Sequence, residues 1–338
     1  MLAPQRSDPP RQVAVILNGR ARGVSPGVVR RVGRLVGSKN LYVSRTLDDS
    51  QDIAAEVVSR RYDAVLLGGG DGTFVQCLSD LQAQASERGL AVPRLGILRL
   101  GTGNALAWAL GASPPTVEGL RRDLDRASFA PSAHLPLLEV DGRLTPFAGV
   151  GLDAQILDDF AATTRFLDRL GVGRSLGSGL RYGLAVAFRS TPRFVATRRP
   201  EVVAINRGSP AYRVGRGGRL IGDPVPAGEV LFRGRCSLAA GATIPYYGLG
   251  LKMFPYSALA PGRLQLRCAT ASAAEIVAHL PSVWRGDYES ATVGDFLVDR
   301  VELRLDRPVP MQIGGDLQPA PRDQLVLALA PRAVPIVH

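Results

Sequence analysis

The sequence has few of the residues that build metal centres, disulfide scaffolds or catalytic triads. Its three cysteines, Cys77, Cys236 and Cys268, lie far apart in a chain of 338 residues, in neither a metal-binding spacing nor an even disulfide framework. Its three histidines have no partners at the spacing of a metal site or a triad. We therefore expect buried thiols in a reducing cytoplasm and no histidine- or cysteine-based chemistry.

Long hydrophobic runs are also missing. No stretch of about 18 uninterrupted apolar residues occurs, so the sequence predicts no transmembrane helix. The opening residues, MLAPQRSDPPRQ, are polar and rich in proline and lack the apolar core of a signal peptide. We expect residues 1–11 to form a disordered tail.

The positive charge is almost entirely arginine. The formal net charge is +11, and Lys39 and Lys252 are the only lysines. Arginine favours phosphate-bearing partners, which are nucleotides, nucleic acids or anionic membranes, although arginine-rich codon usage would give the same composition. The basic residues do not cluster with aromatic residues, so we expect no nucleic-acid partner.

Apolar runs alternate with helical patterns in the first part of the chain. The predicted strands are 12–18, 40–46, 63–70 and one that begins at residue 94, and the predicted helices are 28–37, 49–61, 73–85 and 105–112. In the last of these helices Trp108 is predicted to pack in the core. The alternation predicts an α/β domain with a parallel sheet over residues 12–133.

The pattern changes after about residue 130. Short predicted strands follow one another, separated by glycine, proline and aspartate turns such as Asp141–Gly142, which is typical of an antiparallel β-sandwich or closed sheet. Residues 166–190 are predicted to form one or two helices broken by glycines. We assign 134–320 to this all-β domain and 321–338 to a C-terminal strand and tail that returns to the first domain.

Two glycine clusters follow predicted strands, GGGDGT at 68–73 and GTGN at 101–104. In a parallel sheet both turns emerge at the carboxyl edge, where glycine lets the backbone approach a phosphate and the next helix presents free N–H groups. Asp71 would repel a phosphate unless Mg²⁺ lies between them. The alternative is a helix cap formed by Asp71 or Thr73, and the spacing fits neither a Walker A loop nor a Rossmann fingerprint. The predicted nucleotide-binding residues here are Gly68, Gly69, Gly70, Asp71, Gly72, Thr73, Gly101, Thr102, Gly103 and Asn104.

These paired motifs resemble the catalytic domain of the diacylglycerol kinase, sphingosine kinase and bacterial lipid kinase superfamily. NAD kinases share the first motif and lack the second. VILNGRARG, which contains Asn18, is similar to the opening strand and turn of the superfamily, with Gly19 in place of proline. Thr46 lies where the superfamily has a nucleotide-contacting threonine. The resemblance implies ATP and Mg²⁺ at an N-terminal nucleotide-binding domain, and a C-terminal β-sandwich that binds the lipid substrate.

The chain departs from the superfamily at QIGGDLQ, residues 312–318. The resemblance places Gly314 where the aspartate that acts as base is usual, Gly315 at the glycine and Asp316 at the glutamate. Residues two apart in an extended strand project to the same face, which makes Asp316 the predicted replacement base. A turn role for Asp316 is the alternative. Leu249 and Pro261 also replace residues that are usual in the superfamily, and Asp153 lies in a segment, AGVGLDAQIL, that resembles it.

The sequence thus predicts an ATP-dependent lipid kinase with Asp71 and Asp316 as catalytic residues and Asp71 as the metal ligand. Its acceptor would be a hydroxyl of a diacylglycerol-like or sphingoid lipid. We expect a cytoplasmic protein that associates peripherally with an anionic membrane surface, and we leave a homodimer open. The alternatives are a weak or inactive lipid- or nucleotide-binding member of the superfamily and, ranked lower, an NAD kinase.

Overall fold

The computed structural model of the protein describes residues 12–101, 103–151, 199–248 and 250–337. The chain divides into two compact units. One unit comprises Met1–Leu135 and Ala333–His338, and the other comprises Pro136–Arg332. Within the described ranges no helix is long and apolar enough to cross a membrane.

The first unit contains a six-stranded sheet. Its strands are Val13–Asn18 (β1), Leu41–Ser44 (β2), Ala64–Gly69 (β3), Arg94–Arg99 (β4), Ser132–Leu135 (β5) and, from the end of the described chain, Val334–Val337 (β20). The strand order is β2-β1-β3-β4-β20-β5. The first five strands in this order are parallel, and β5 runs antiparallel to β20. The predicted parallel sheet is confirmed, with one antiparallel strand at its edge.

The structure describes five helices in the first unit, and three of them start at an N-cap residue whose side chain caps the helix. The five helices are Pro26–Val36 (α1), Leu47–Ser59 (α2), Asp71–Glu87 (α3), Ala105–Ala109 (α4) and Val117–Phe129 (α5). The hydroxyl of Ser25 caps α1, with Pro26 in its first turn, and that of Thr116 caps α5. Such caps satisfy N–H groups that have no partner inside the helix, which fixes where each capped helix begins.

The sheet is buried on both faces, as its continuous apolar strands require. Residues of α1 and α5 form one apolar cluster with side chains of the central strands, such as Leu17, Leu66 and Leu98. The alternate residues of these strands project to the opposite face of the sheet, where Ile16 and Leu67 are also buried. The helices α2 and α3 pack against each other. This layering holds the strand ends in fixed positions.

The second unit is an antiparallel β-sandwich. Its strands are Leu138–Val140 (β6), Arg143–Thr145 (β7), Phe147–Gly151 (β8), Glu201–Asn206 (β9), Ala211–Val214 (β10), Leu220–Val225 (β11), Val230–Arg235 (β12), Leu238–Ala242 (β13), Leu264–Ala269 (β14), Val293–Val298 (β15), Arg300–Val309 (β16), Met311–Ile313 (β17), Asp316–Leu317 (β18) and Arg322–Leu329 (β19). One sheet has the order β11-β10-β15-β14-β13-β8-β17-β18, and the other has the order β12-β9-β16-β19-β6-β7. Two short helices, Ala273–Ala278 (α6) and Leu280–Arg285 (α7), follow β14.

One apolar core joins the two sheets of this unit. Leu325 and Leu327 of the six-stranded sheet belong to the same buried cluster as Val150 and Phe296 of the eight-stranded sheet. Facing layers of alternating apolar residues are the expected core of a sandwich. The predicted all-β second domain is therefore confirmed as two packed sheets.

A carboxylate fastens the short helix α6 to a neighbouring loop. Oε1 of Glu275 accepts hydrogen bonds from the hydroxyls of Tyr288 at 2.6 Å, Thr292 at 2.7 Å and Ser290 at 2.9 Å. These donors favour the ionised form and lower the pKa of Glu275 to about 2. The ionised carboxylate therefore helps to hold this corner of the unit.

The Asp-Gly turn forms as predicted, because Asp141 and Gly142 both have positive φ between β6 and β7. The tail assigned to 321–338 differs from the structure. Residues Arg322–Leu329 form β19 inside the six-stranded sheet, since their alternating leucines complete the sandwich core, and only Val334–Val337 pairs in the first unit. The predicted tail 1–11, the predicted helical segment 166–190 and the residues Thr102, Asp153 and Leu249 lie outside the described ranges.

Candidate active site

Several strand ends meet at one edge of the first sheet. The register pairs Asn18 of β1 with Ser44 of β2, and Gly69 of β3 with Arg99 of β4. Because the strands are parallel, the residues that follow them lie at the carboxyl edge, where ligands bind in sheets of this kind. The predicted nucleotide-binding residues that the structure describes occupy or follow these strand ends.

Two glycines of the first turn are required by packing. A Cβ atom at Gly68 would lie 2.3 Å from Cδ2 of Leu17, and one at Gly69 would lie 2.4 Å from Oγ1 of Thr73. Both distances are far shorter than van der Waals contact. Gly68 therefore lets β3 pack closely against Leu17 of β1, and Gly69 lets the strand end pack under Thr73 in the first turn of α3.

Gly101 brings the second turn against the first. A Cβ atom there would lie 2.4 Å from Cα of Gly70 and 2.6 Å from the carbonyl oxygen of Gly69. Both obstacles are backbone atoms, which cannot rotate away. The two glycine turns therefore touch through their main chains, and they form one surface.

Packing does not explain Gly70. The nearest heavy atom that a Cβ would meet is Cα of Gly101 at 3.9 Å, and φ of −98° with ψ of −174° is open to any residue. Gly70 is the N-cap of α3 and provides no side-chain cap. The first N–H groups of this 17-residue helix therefore begin beside backbone that carries no side chain, which suits the close approach of an anion.

Asp71 joins the two turns by capping the helix of the other one. Its side chain is buried, its Oδ2 accepts from the backbone N–H of Ala105 at 2.9 Å, and its Oδ1 accepts from that of Leu106 at 2.8 Å. Asp71 is thus a helix cap, as the alternative interpretation held, but for α4 rather than for its own helix.

Asn104 closes the second turn. Its backbone is left-handed, with φ of 53°, a conformation that asparagine tolerates better than most residues. Its side-chain Oδ1 accepts from the N–H of Gly101 at 2.9 Å, and its Nδ2 donates to the carbonyl of the same residue. The Asn104 side chain is predicted to bind the nucleotide, and in the structure both of these hydrogen bonds hold the glycine turn in shape.

Asn18 and Thr73 are brought together across the sheet. Nδ2 of Asn18 donates to Oγ1 of Thr73 at 3.0 Å, which ties the end of β1 to the first turn of α3. Thr46 lies at the same edge as the N-cap of α2, in a capping box with Asp49. The hydroxyl of Thr46 accepts one bond there, from the N–H of Asp49 at 3.0 Å.

The pair Arg99 and Trp108 was not predicted as part of the site. The guanidinium of Arg99, at the end of β4, lies 4.0 Å from the centre of the Trp108 ring. Trp108 is 38% exposed, so the prediction that it packs in the core is wrong. No sequence motif marks a single arginine at the end of a strand as a site residue. The fold alone places this cation at the carboxyl edge of the sheet.

Metal binding at this edge would depend on Asp71. In the described part of the chain no group of three or more histidine, cysteine, aspartate or glutamate side chains forms a metal-binding cluster. Mg²⁺ commonly takes one or two carboxylates and completes its coordination with phosphate oxygens and water. A single buried carboxylate next to the N-terminus of a helix fits that donor set.

In the second unit the residues around Asp316 form a tight hairpin. Gly314 and Gly315 have φ of 60° and 87°, and Asp316 pairs across the turn with Ile313. The premise that Gly314 and Asp316 lie two apart in one extended strand is wrong, because the chain reverses at the two glycines. Asp316 begins the return strand β18, with its side chain exposed to solvent.

A buried side chain fixes this hairpin. Oε1 of Gln312 accepts from the N–H of Gly315 at 3.0 Å, and its Nε2 donates to the hydroxyl of Tyr247 at 2.7 Å. The Tyr247 ring packs on Phe147 at 4.8 Å between centres. Although the side chain is exposed, neighbouring protein atoms displace part of the water around its carboxyl group and raise the pKa of Asp316, while the charge of Arg143 opposes the rise.

Comparison with known proteins agrees with this geometry. Residues 12–128 match the family model of the diacylglycerol kinase catalytic domain. The protein named Probable lipid kinase YegS-like from Chromohalobacter salexigens is 36% identical over 114 residues. That match covers 33% of this chain and 35% of the relative, so the chain is matched over about a third of the curated relative's length.

Solved structures from Bacillus anthracis str. Sterne share the fold over nearly the whole chain. One diacylglycerol kinase has a TM-score of 0.61 and 13% identity, with 97% of each chain covered. A second structure assigned to the same class has a TM-score of 0.64 and 14% identity, with 100% of this chain and 98% of the other covered. Residues 12–128 are therefore similar to the catalytic domain of diacylglycerol kinases, and the whole chain shares the fold of these solved structures.

Proposed function

We propose that this protein is an ATP-dependent lipid kinase that phosphorylates a hydroxyl of a diacylglycerol-like or sphingoid lipid. The observation that carries the proposal is the open backbone at Gly70. Room for a Cβ remains there, the N–H groups of α3 begin beside it, and the carboxylate of Asp71 follows at once. That combination suits a nucleotide phosphate with a divalent cation.

The nucleotide phosphates would lie on the first turn of α3. Gly70 would let them approach the backbone, and the hydroxyls of Thr46 and Thr73 would donate to the nucleotide. Arg99 would add a positive charge that the Trp108 ring holds in place. Mg²⁺ held by Asp71 would neutralise charge on the phosphate oxygens during transfer.

The transfer itself needs a positioned hydroxyl and a proton acceptor. The lipid hydroxyl oxygen forms a bond to the γ-phosphorus while the bond from that phosphorus to the bridging oxygen of ADP breaks. Asp316 would take the hydroxyl proton. A pKa raised above the ordinary aspartate value makes its carboxylate a better proton acceptor near neutral pH.

A second candidate is a weak or inactive member of the superfamily that binds lipid or nucleotide. The observation that favours it is Gly314. The resemblance places the base at this position, and glycine provides no side chain there. Phosphoryl transfer depends mostly on positioning and charge neutralisation, so loss of a base slows the reaction more readily than it abolishes it.

The test is phosphoryl transfer from labelled ATP by the full chain with Mg²⁺, across a panel of diacylglycerols, ceramides and sphingoid bases. Label in one lipid class supports the kinase and names its substrate. ATP binding without any labelled lipid supports the second candidate. Supplying NAD in the same assay tests the NAD kinase alternative, which predicts labelled NADP.

Location and assembly follow as further parts of the proposal. A lipid substrate resides in a bilayer, and a chain with a net charge of +11 is attracted to anionic lipid. We therefore assign the protein to the cytoplasmic face of a membrane as a peripheral protein. Light scattering over a range of concentrations would show whether it forms the homodimer that the sequence leaves open.

A further inference from the structure

Exposed apolar side chains concentrate on one part of the second unit. Ten large hydrophobic side chains are exposed among the described residues, and half of them come from three short segments: 216–221, 252–259 and 279–289. These five are Leu220, Ile221, Leu259, Leu280 and Trp284. Exposed apolar groups scattered singly need no explanation, but a cluster does.

The three segments contact one another. A Cβ built on Gly218 would lie 3.8 Å from Leu259, the N–H of Gly217 donates to Glu289 at 2.7 Å, and the N–H of Lys252 donates to the carbonyl of Trp284 at 3.1 Å. The three segments therefore lie next to one another, and we refer to their exposed apolar side chains together as the apolar face.

Helix α7 contributes an amphipathic edge to the apolar face. Leu280 and Trp284 are four residues apart, so they lie on the same side of the helix, 47% and 43% exposed. Val283, which lies beside them on the same helix, is buried and attaches the helix to the unit. A tryptophan with one apolar and one polar edge is the residue most typical of a bilayer interface.

The charges around the apolar face are mainly positive. Arg216, Arg219 and Lys252 are exposed at its margin. The two acids within the three segments are engaged: Asp287 pairs with Arg285 at 2.8 Å, and Glu289 accepts from Gly217 and the Tyr256 hydroxyl. Asp223 of β11 is a further exposed acid, two residues from Ile221. Cations around exposed apolar groups complement the phosphates of an anionic bilayer.

The outer strand argues against a protein partner added to the sheet. β11 is the end strand of the eight-stranded sheet and contributes Leu220 and Ile221. Gly222 has φ of 68° and Pro224 lacks an N–H, so the strand offers a broken hydrogen-bonding edge. A second copy of the chain would find poor pairing there.

We propose that the apolar face docks on an anionic lipid bilayer, with Trp284, Leu280 and Leu259 inserted and the three cations against the headgroups. This inference rests on the proposed lipid kinase function and deepens it by naming the surface that meets the membrane. Each exposed cation near such a surface contributes about fivefold to binding.

The test measures sedimentation of the full chain with vesicles of phosphatidylcholine, with and without phosphatidylglycerol. The double variant Leu280→Ser, Trp284→Ser is compared with Leu47→Ser, Phe129→Ser, which removes two apolar side chains that are 65% exposed in the first unit. We expect only the first pair to lose binding. Because all four side chains are exposed, thermal unfolding should change little in either pair.

Charge is tested in the same way. Arg216→Gln, Arg219→Gln should weaken binding to the phosphatidylglycerol vesicles by about 25-fold, in proportion to two lost cations. Arg121→Gln, Arg122→Gln removes the same charge from exposed positions of α5 and should weaken it less. Equal losses in the two pairs would mean that net charge alone drives binding, and would overturn the apolar face.

Two further readouts separate this inference from the proposed function. With substrate dispersed in detergent, the Leu280 and Trp284 variant should phosphorylate lipid as the wild type does. If vesicle binding follows the expected pattern but the protein has no kinase activity, bilayer docking by the apolar face is supported and the proposed kinase function is refuted. A concentration-dependent dimer that is lost in this variant would identify the face as a contact between copies, and would overturn bilayer docking.

Discussion

The open backbone at Gly70 predicts that two neighbouring glycines respond in opposite ways to the same added methyl group. At Gly70 a Cβ meets nothing closer than 3.9 Å, whereas at Gly101 it would lie 2.4 Å from the backbone of Gly70. Gly70→Ala should therefore fold normally and bind ATP poorly. Gly101→Ala should lose stability.

The magnitudes follow from the local structure. At Gly70, alanine lowers the entropy of the unfolded chain, which stabilises by about 0.4–1 kcal/mol. It is also a poorer N-cap than glycine, at a cost of about 0.5–1 kcal/mol, so the two effects nearly cancel. If the added methyl group prevents one charge-assisted hydrogen bond between the phosphate and the backbone, ATP binding is weakened by about 1.5–3 kcal/mol, or about 10- to 150-fold in affinity. Overpacking at Gly101 costs about 1–3 kcal/mol.

Urea unfolding and calorimetric titration with ATP and Mg²⁺ measure both quantities on the same samples. We expect the midpoint of Gly70→Ala to match the wild type and its ATP affinity to fall at least tenfold. If Gly70→Ala binds ATP as tightly as the wild type, phosphate does not approach this backbone and the nucleotide site is elsewhere. If Gly101→Ala is as stable as the wild type, the contact between the two turns is not a constraint.

Four other substitutions test the remaining site residues and the stability of the second unit. Asp71→Asn keeps one acceptor for the two N–H groups of α4, so it should lower the free energy of unfolding by about 1 kcal/mol. It should also remove the dependence of ATP affinity on Mg²⁺, which titrations with and without chelator measure. If Asp316 is the base, Asp316→Asn should lower turnover by about 100-fold or more. In that case Gly314→Asp, whose aspartate suits a left-handed turn position, should change turnover little in the lipid assay. A large gain in turnover from Gly314→Asp, with no loss from Asp316→Asn, would instead identify an enzyme that is weakened because it lacks the usual base. Because the pKa of Glu275 is lowered to about 2, its ionised form stabilises the fold fully above the pKa of an unfolded glutamate and loses this effect as pH falls toward 2. Glu275→Gln should therefore lower the urea midpoint at neutral pH, and its difference from wild type should narrow in acid.

The first unit could be predicted largely from its sequence, because its physical signals are local. The strands β1, β3 and β4 are apolar runs buried on both faces, and each ends at the polar residue or glycine that the sequence shows. The positions of the two glycine turns follow from those strand ends. That both turns lie at one edge follows from the parallel sheet.

The contacts between distant residues could not be predicted in the same way. Nothing near Asp71 indicates that its carboxylate caps a helix that starts at Ala105, since the bond forms only when two separate turns pack together. The stacking of Arg99 on Trp108 has the same origin. Each residue is consistent with several local structures, and the tertiary fold selects one.

At Gly314 the local signal was present but was interpreted as a strand. Two consecutive glycines between short apolar segments favour a two-residue hairpin turn as strongly as a flexible strand. The apolar residues around them continue the strand pattern, and Gln312 fixes the turn through a buried bond that has no sequence signature. The helix Val117–Phe129 was missed because polar residues outnumber apolar ones along it.

The strand β20 makes completion of the first sheet wait for synthesis of the second unit. Ile336 pairs with Leu95 in the middle of that sheet, although more than 200 residues separate them along the chain. At a ribosomal rate of about 5–20 residues per second, a nascent chain would carry β4 with an unpaired side for on the order of tens of seconds. An open strand edge of that kind is a template for pairing with other chains. We therefore expect this topology to leave the β4 edge open to other chains until Val334–Val337 has been synthesised.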